Sequence, residues 1–194
     1  MRIVVVGTTG AGKTTLARRI AMQLALPHIE LDAINWQPGW RDLTRHDPDV
    51  FIRRVGEAIA ADSWVLDGNY QSVRDQVWRR ATHVIWLDYE RATVMARVIR
   101  RSLLRAALRT EMWAGNHEQW RRLLRPSHPI RWAWTTWGRR RRETAERLAR
   151  PEYAGLVVVR LRRPGDADRA LARLVEAARD PLAPSGKDCP AARS

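Results

Sequence analysis

The most informative stretch of the 194-residue sequence is a glycine-rich segment near its start. Residues 7–14 read Gly-Thr-Thr-Gly-Ala-Gly-Lys-Thr and match G-x-x-x-x-G-K-[ST] at every fixed position. Glycines let backbone N–H groups turn towards phosphate oxygens, a lysine reaches the β- and γ-phosphates, and a threonine hydroxyl can ligate Mg²⁺. The segment therefore predicts a site for ATP with Mg²⁺. The residues predicted to contact the nucleotide are Gly7, Thr9, Gly10, Ala11, Gly12, Lys13, Thr14 and Thr15.

Acidic residues follow three of the predicted strands, where a parallel sheet places its ligands. Asp67 follows an apolar strand, and we expect it to hold Mg²⁺ together with Thr14, although Asp-Gly-Asn is also simple turn chemistry. Asp32 could orient or deprotonate an acceptor hydroxyl; the alternative is a helix cap or loop residue. Asp88 is expected only to cap the next helix.

Arginines and aromatic side chains supply further candidates. Arg97 and Arg101 lie four residues apart on a basic helix, so they share one face and could neutralise charge on the transferring phosphoryl group. The alternative is a solvated or RNA-contacting face. The arginine run 139–142 is expected at the surface. The predicted catalytic residues are Lys13, Asp32, Arg97 and Arg101; those predicted to contact the acceptor are Asp32, Trp36, Asp67, Gly68, Asn69 and Arg74.

These residues need a scaffold, and short apolar runs alternate with helical patterns along the chain. The pattern predicts strands at 1–6, 28–31, 64–66, 83–87 and 156–161, separated by helices. We expect an α/β three-layer P-loop NTPase fold with a five-stranded parallel sheet and a helical lid-like insertion. Residues 1–179 would form one domain, with the basic insertion at about 97–150, an irregular loop at 33–49 and a disordered tail at 180–194.

Composition narrows the setting of this domain. The formal net charge is +14, which could attract nucleic acid or could reflect arginine used wherever a solvated cation suffices. The apolar runs are too short to cross a membrane, and no secretory signal is recognisable, so we expect a cytoplasmic protein without a membrane partner. The single cysteine, Cys189, excludes an internal disulfide framework. The oligomeric state is left open.

Taken together, these motifs resemble the small P-loop kinases built like adenylate and shikimate kinase. The similarity is greatest to a bacterial group labelled DNA topology modulation protein. The stretches that carry it include Asp-Gly-Asn-Tyr at 67–70 and Trp-Ala-Gly-Asn at 113–116. The resemblance implies a kinase-like fold and ATP binding, with Asp32 as the acid that meets the substrate. The sequence lacks the aromatic-Pro-Arg that follows Asp-Gly in adenylate kinases, which argues against AMP as the acceptor.

Two classes of function are consistent with these features. The first is a phosphotransferase that moves the ATP γ-phosphate to an unidentified small acceptor, either a nucleotide or a hydroxyl metabolite. The second is a nucleic-acid-associated regulatory ATPase, favoured by the +14 charge and the tryptophans in polar loops. A kinase acting on a nucleic-acid end would combine the two.

Overall fold

A computed structural model describes residues 1–107, 114 and 129–179. Five strands form the main sheet: β1 (Arg2–Gly7), β2 (His28–Glu30), β5 (Trp64–Asp67), β6 (His83–Leu87) and β7 (Val157–Leu161). Two short strands, β3 (Trp36–Gln37) and β4 (Arg41–Asp42), form a separate ribbon. The α-helices are α1 (Lys13–Leu24), α2 (Leu31–Asn35), α3 (Leu43–His46), α4 (Pro48–Ala58), α5 (Gln71–Arg80), α6 (Arg91–Ala107), α7 (Pro129–Leu148) and α8 (Asp166–Arg179).

The main sheet is parallel throughout and has the order β2-β5-β1-β6-β7. Side chains of β1 alternate between its two faces, as a pleated strand requires. Ile3 and Val5 pack with residues of α1, α6 and α8, whereas Val4 and Val6 pack with residues of α4 and α5. Helices thus cover both faces of the sheet. The predicted three-layer fold with a five-stranded parallel sheet is confirmed.

The segment 33–49, expected to be an irregular loop, is more ordered than that prediction. It contains most of α2, the β3–β4 ribbon and α3. The ribbon turns at Gly39, whose φ of +71° suits glycine, and the rings of Trp36 and Trp40 pack edge to face at 5.4 Å. The content of Trp, Pro and Gly suggested an irregular loop, but packing between the two tryptophan rings stabilises an ordered ribbon.

The inner ends of α6 and α7 belong to the core of the domain. Val94 and Val98 of α6 and Ala133 of α7 are fully buried in the cluster on the α1 side of the sheet, and the two helices pack against each other. The predicted tail at 180–194 and the motif at 113–118, apart from the backbone of Ala114, lie outside the described residues. Within the described ranges, no helix combines the length and apolar character needed to cross a membrane.

Candidate active site

The phosphate loop joins β1 to α1 and is held by its own hydrogen bonds. The Ala11 N–H donates to the Thr8 carbonyl at 3.2 Å, and Lys13 Nζ donates to the same carbonyl at 3.2 Å. Gly10 has a φ of +85°, and a Cβ built there would lie 2.8 Å from the Cβ of Val98. Only glycine fits this close approach of the loop to α6. Thr9, Gly12 and Thr14 are partly exposed and Thr15 is exposed.

Charged side chains from four elements act on Lys13 at the start of α1. Burial lowers the pKa of Lys13; the carboxylates of Asp32 and Asp67 oppose this shift, and Arg101 and Arg140 reinforce it. Three residues predicted from separate parts of the sequence, Asp32, Asp67 and Arg101, thus come together around the lysine. Arg140 on α7 is a fourth neighbour that the sequence analysis missed.

A helical-face argument could have identified Arg140. Thr136, Trp137, Arg140 and Thr144 recur at spacings of one, three and four residues, which place them on neighbouring rows of one side of a helix. Thr136 and Thr144 are buried, and the Trp137 indole N–H donates to the Tyr89 carbonyl at 3.1 Å. One residue of the arginine run 139–142, Arg140, therefore faces inward, although the charge of the run suggests a surface.

Arg97 contacts the phosphate loop from α6. Its Nη1 donates to the Ala11 carbonyl at 2.9 Å, and its guanidinium lies 5.5 Å from the centre of the Tyr89 ring. Arg97 therefore braces the backbone of the loop in this structure. Its role in neutralising transferred phosphate stays a prediction.

Asp67 ends β5 with its side chain buried, and its Oδ2 has no hydrogen-bond partner among the described residues. The imidazole Nε2 of His28 lies 3.8 Å from this oxygen and is also buried without a hydrogen-bond partner among the described residues. A buried carboxylate oxygen without a donor suits a cation or a cation-bound water. The chemistry of Asp67 thus fits the predicted Mg²⁺ role.

The segment containing Asp32 meets the segment after β5 at a close backbone contact. Gly68 has a φ of +128°, and a Cβ built there would lie 2.6 Å from the Cβ of Leu31. The two segments are joined by the Tyr70 hydroxyl, which donates to Asp32 Oδ1 at 2.5 Å. Burial raises the pKa of Tyr70 far above its ordinary value, and the charge of Asp32 raises it further, so the phenol stays protonated.

Arg74 of α5 is the least satisfied charged group in this region. Only 11% of its side chain is exposed, yet Nε and Nη2 have no hydrogen-bond partner among the described residues, and Nη1 lies 4.0 Å from Glu143. Burial lowers its pKa, and Arg140 and Arg147 lower it further. A cavity beside it is lined by Leu31, Gly68, Asn69 and Tyr70 among others. The arrangement is suited to receiving an anion.

The structure brings most predicted acceptor residues together but places Trp36 elsewhere. Gly68, Asn69 and Arg74 line the same cavity. Trp36 is not among the described residues that line it; it packs instead on Trp40 in the β3–β4 ribbon. A role for Trp36 in contacting the acceptor stays a prediction.

Asp88 does not act as the helix cap that the sequence suggested. Its buried carboxylate accepts from Arg141 Nε at 2.7 Å and Nη2 at 3.1 Å, and from Arg160 Nε at 2.9 Å and Nη2 at 2.5 Å. This hydrogen bonding raises the pKa of Arg141. Asp88 therefore ties the end of β6 to α7 and β7, and it fixes α7 one residue away from Arg140.

Sequence comparison finds relatives among small kinases. No family model matches the chain. An adenylate kinase of Lachnospira eligens is 34% identical over 85 residues, which cover 35% of this chain and 40% of that protein. A shikimate kinase of Symbiobacterium thermophilum is 31% identical over 120 residues, covering 56% of this chain and 69% of that protein.

Solved structures share the fold at lower identity. Shikimate kinase from Acinetobacter baumannii in complex with shikimate superposes with a TM-score of 0.53 at 17% identity, covering 94% of each chain. The chain is 31% identical to the Symbiobacterium enzyme and spans more than two thirds of it, so the chain belongs to the shikimate kinase-like family of small P-loop kinases.

Proposed function

We propose that this kinase transfers the γ-phosphate of ATP to the hydroxyl group of a small acceptor that also carries an anionic group. One observation supports this most strongly: the carboxylates of Asp32 and Asp67 both raise the pKa of Lys13. A base for the acceptor and a carboxylate for the metal would thus lie close to the lysine that binds the transferred phosphate.

The nucleotide half of the proposed site is the phosphate loop. Backbone N–H groups of Gly10, Gly12 and their neighbours would hold the phosphates, and Lys13 would neutralise the β- and γ-oxygens. Thr14 and Asp67 would hold Mg²⁺, Asp67 through water. The described residues include no cluster of three or more metal-ligating side chains, and Mg²⁺ in such sites takes several ligands from phosphate and water.

Asp32 would accept the proton of the acceptor hydroxyl while the oxygen of that hydroxyl bonds to the γ-phosphorus. The bond from that phosphorus to the β-γ bridging oxygen breaks, and ADP leaves. Arg101 and Arg140 would neutralise negative charge that spreads over the transferring group. Arg74 would hold the anionic group of the acceptor, because a guanidinium binds carboxylate and phosphate through paired N–H donors.

A transfer assay tests the proposal. Labelled ATP is incubated with hydroxy-carboxylates, phosphorylated metabolites, nucleoside monophosphates and neutral polyols, and each product is identified. We expect one anionic class to be phosphorylated, with loss of transfer in Lys13→Ala and Asp32→Asn. Asp168→Asn, an exposed residue of α8, should retain activity. ATP binding without transfer to any acceptor would contradict the proposal.

The alternative of a nucleic-acid-associated regulatory ATPase has a separate test. The +14 charge motivates it, as do the tryptophans in the polar loops. Binding through phosphates weakens steeply with salt. Affinity for nucleic acid that falls steeply between about 50 and 200 mM salt would favour the alternative, whereas no binding would exclude it. Phosphate on a nucleic-acid end would favour the combined function.

A further inference from the structure

We propose that Tyr70 is a positioning residue that holds the carboxylate of Asp32 through one oxygen and leaves the other oxygen for the acceptor hydroxyl. This inference rests on the proposed function, because Asp32 needs a defined orientation only if it meets an acceptor. Sequence reasoning used Tyr70 only as part of a motif and gave it no role.

Asp32 lies on an element that cannot orient it unaided. The helix α2 has five residues, Leu31–Asn35, and so short a helix has little stability of its own. No side-chain hydrogen bond caps its start. An aspartate on such a turn keeps freedom in its side-chain torsions unless another group binds it. The Tyr70 hydroxyl, 2.5 Å from Asp32 Oδ1, is that group.

Both the ring and the preceding backbone of Tyr70 are held in place. Its ring packs against Phe51 of α4 with 5.1 Å between centroids, and Phe51 is fully buried. The backbone before it is fixed where Gly68 approaches Leu31. Near its hydroxyl lies Asn35, which is fully buried and whose Oδ1 accepts from the Thr44 N–H at 2.9 Å. A tyrosine bound in this way presents its proton at one fixed point.

The donor role is permanent at physiological pH. Because the pKa of Tyr70 is raised far above its ordinary value, the hydroxyl keeps its proton and Asp32 Oδ1 keeps its donor. In the proposal, the other oxygen, Oδ2, is the one left for the acceptor hydroxyl, so the two oxygens of one carboxylate have different tasks.

Tyr70→Phe tests this role because it removes the hydroxyl and keeps the ring against Phe51. We expect kcat to fall roughly tenfold to a hundredfold, since a small misplacement of a reacting group has that effect. The KM for ATP should change less than about twofold, because the phosphate loop is unaltered. The matched control is Tyr153→Phe. The hydroxyl of Tyr153 lies outside the site, where it accepts a hydrogen bond from Arg147 at 2.9 Å.

A double-mutant cycle distinguishes positioning from a structural role. If Tyr70 acts through Asp32, adding Tyr70→Phe to Asp32→Asn should not lower the residual single-turnover rate further. A purely structural tyrosine would lower the rate equally in both backgrounds, and that outcome would overturn the proposal. A kcat within about twofold of the parent in Tyr70→Phe would do the same.

A spectroscopic measurement tests the contact without relying on activity. The chain has three tyrosines, so ¹³Cζ-tyrosine labelling gives three signals, assignable with the Phe variants. Asp32→Asn should shift the Tyr70 signal and leave Tyr153 unchanged; no shift at Tyr70 would overturn the contact. Absence of transfer by the parent protein to every acceptor would instead contradict the proposed function, while the NMR result still decides the contact.

Discussion

The phosphate loop and the acceptor side of the site differ in how far their polar groups are satisfied. In the loop, the Thr8 carbonyl accepts from Lys13 and the Ala11 carbonyl accepts from Arg97, and one neutral group, the buried Thr8 Oγ1, has no hydrogen-bond partner among the described residues. Across the site, buried polar atoms of Asp67 and Arg74 have no hydrogen-bond partner among the described residues. A loop whose carbonyls are bound is pre-organised, whereas unsatisfied buried charged groups cost more stability than a neutral hydroxyl unless a ligand completes them. The difference indicates that a metal beside Asp67 and an anion beside Arg74 would complete the charged groups of the site.

The largest expected effect is on the loop side, from Lys13→Ala. Loss of the lysine should weaken ATP binding and lower transfer by at least about a thousandfold, because no other group replaces its charge at the β- and γ-phosphates. The lost hydrogen bond to the Thr8 carbonyl and the relieved burial of a charge oppose each other, so the melting temperature should change little. Calorimetry with ATP and a transfer assay measure both, with the exposed Arg19→Ala as control. Retained transfer would contradict the nucleotide site.

Gly68→Ala should disrupt the acceptor side by distorting its backbone. The added Cβ would clash with Leu31 and the residue would be strained at a φ of +128°, so we expect a loss of about 2–4 kcal/mol in the free energy of unfolding. Chemical denaturation measures it. Gly155→Ala, where a Cβ meets nothing within 4 Å, is the matched control. Equal stabilities of the two variants would show that the Gly68–Leu31 approach is dispensable.

Asp88→Asn probes the connection between the two sides. The amide cannot satisfy both Arg141 and Arg160, so stability should fall by about 2 kcal/mol and α7 should lose its anchor next to Arg140. Denaturation and kcat are the measurements. The exposed pair of Asp168 with Arg19 gives a control, because Asp168→Asn should cost less than about 1 kcal/mol. If neither the free energy of unfolding nor kcat changed, Asp88 would not have the anchoring role proposed for it.

Arg74→Met should have the smallest effect on stability. It also gives a direct contrast with the equally buried Arg147. Removing an unsatisfied buried guanidinium should leave the free energy of unfolding unchanged or raise it by about 1 kcal/mol, while the KM for an anionic acceptor rises at least tenfold. Arg147 is equally buried but satisfied by Asp75 and Tyr153, so Arg147→Met should lose about 1–3 kcal/mol. If Arg74→Met were the less stable variant, the comparison would fail.

The sequence predicted what depends on local pattern. Short apolar runs, four of them followed by glycine or aspartate, placed all five strands of the main sheet, and the fixed positions of the loop placed Lys13. The rule that parallel strands end at one edge brought Asp32 and Asp67 to the same site. Each of these features is encoded in a short stretch of sequence, so it can be recognised without knowledge of contacts between distant segments.

The parts that sequence reasoning missed depend on contacts between distant segments. Tyr70 meets Asp32 across 38 positions, Arg141 meets Asp88 across 53, and Arg140 faces inward only because α7 docks on the end of β6. A run of arginines is expected at the surface, and only the packing of its helix shows that one of them faces inward. Packing of rings likewise gave order to the segment 33–49.

The central claim is that a pre-organised loop and an incomplete acceptor side meet at the transferred phosphate, and Asp32→Asn tests it most directly. The measurement combines calorimetry with ATP and Mg²⁺ and transfer of labelled γ-phosphate on the same variant. We predict ATP affinity within about twofold of the parent and transfer reduced at least a hundredfold. Transfer at the parent rate would contradict the account.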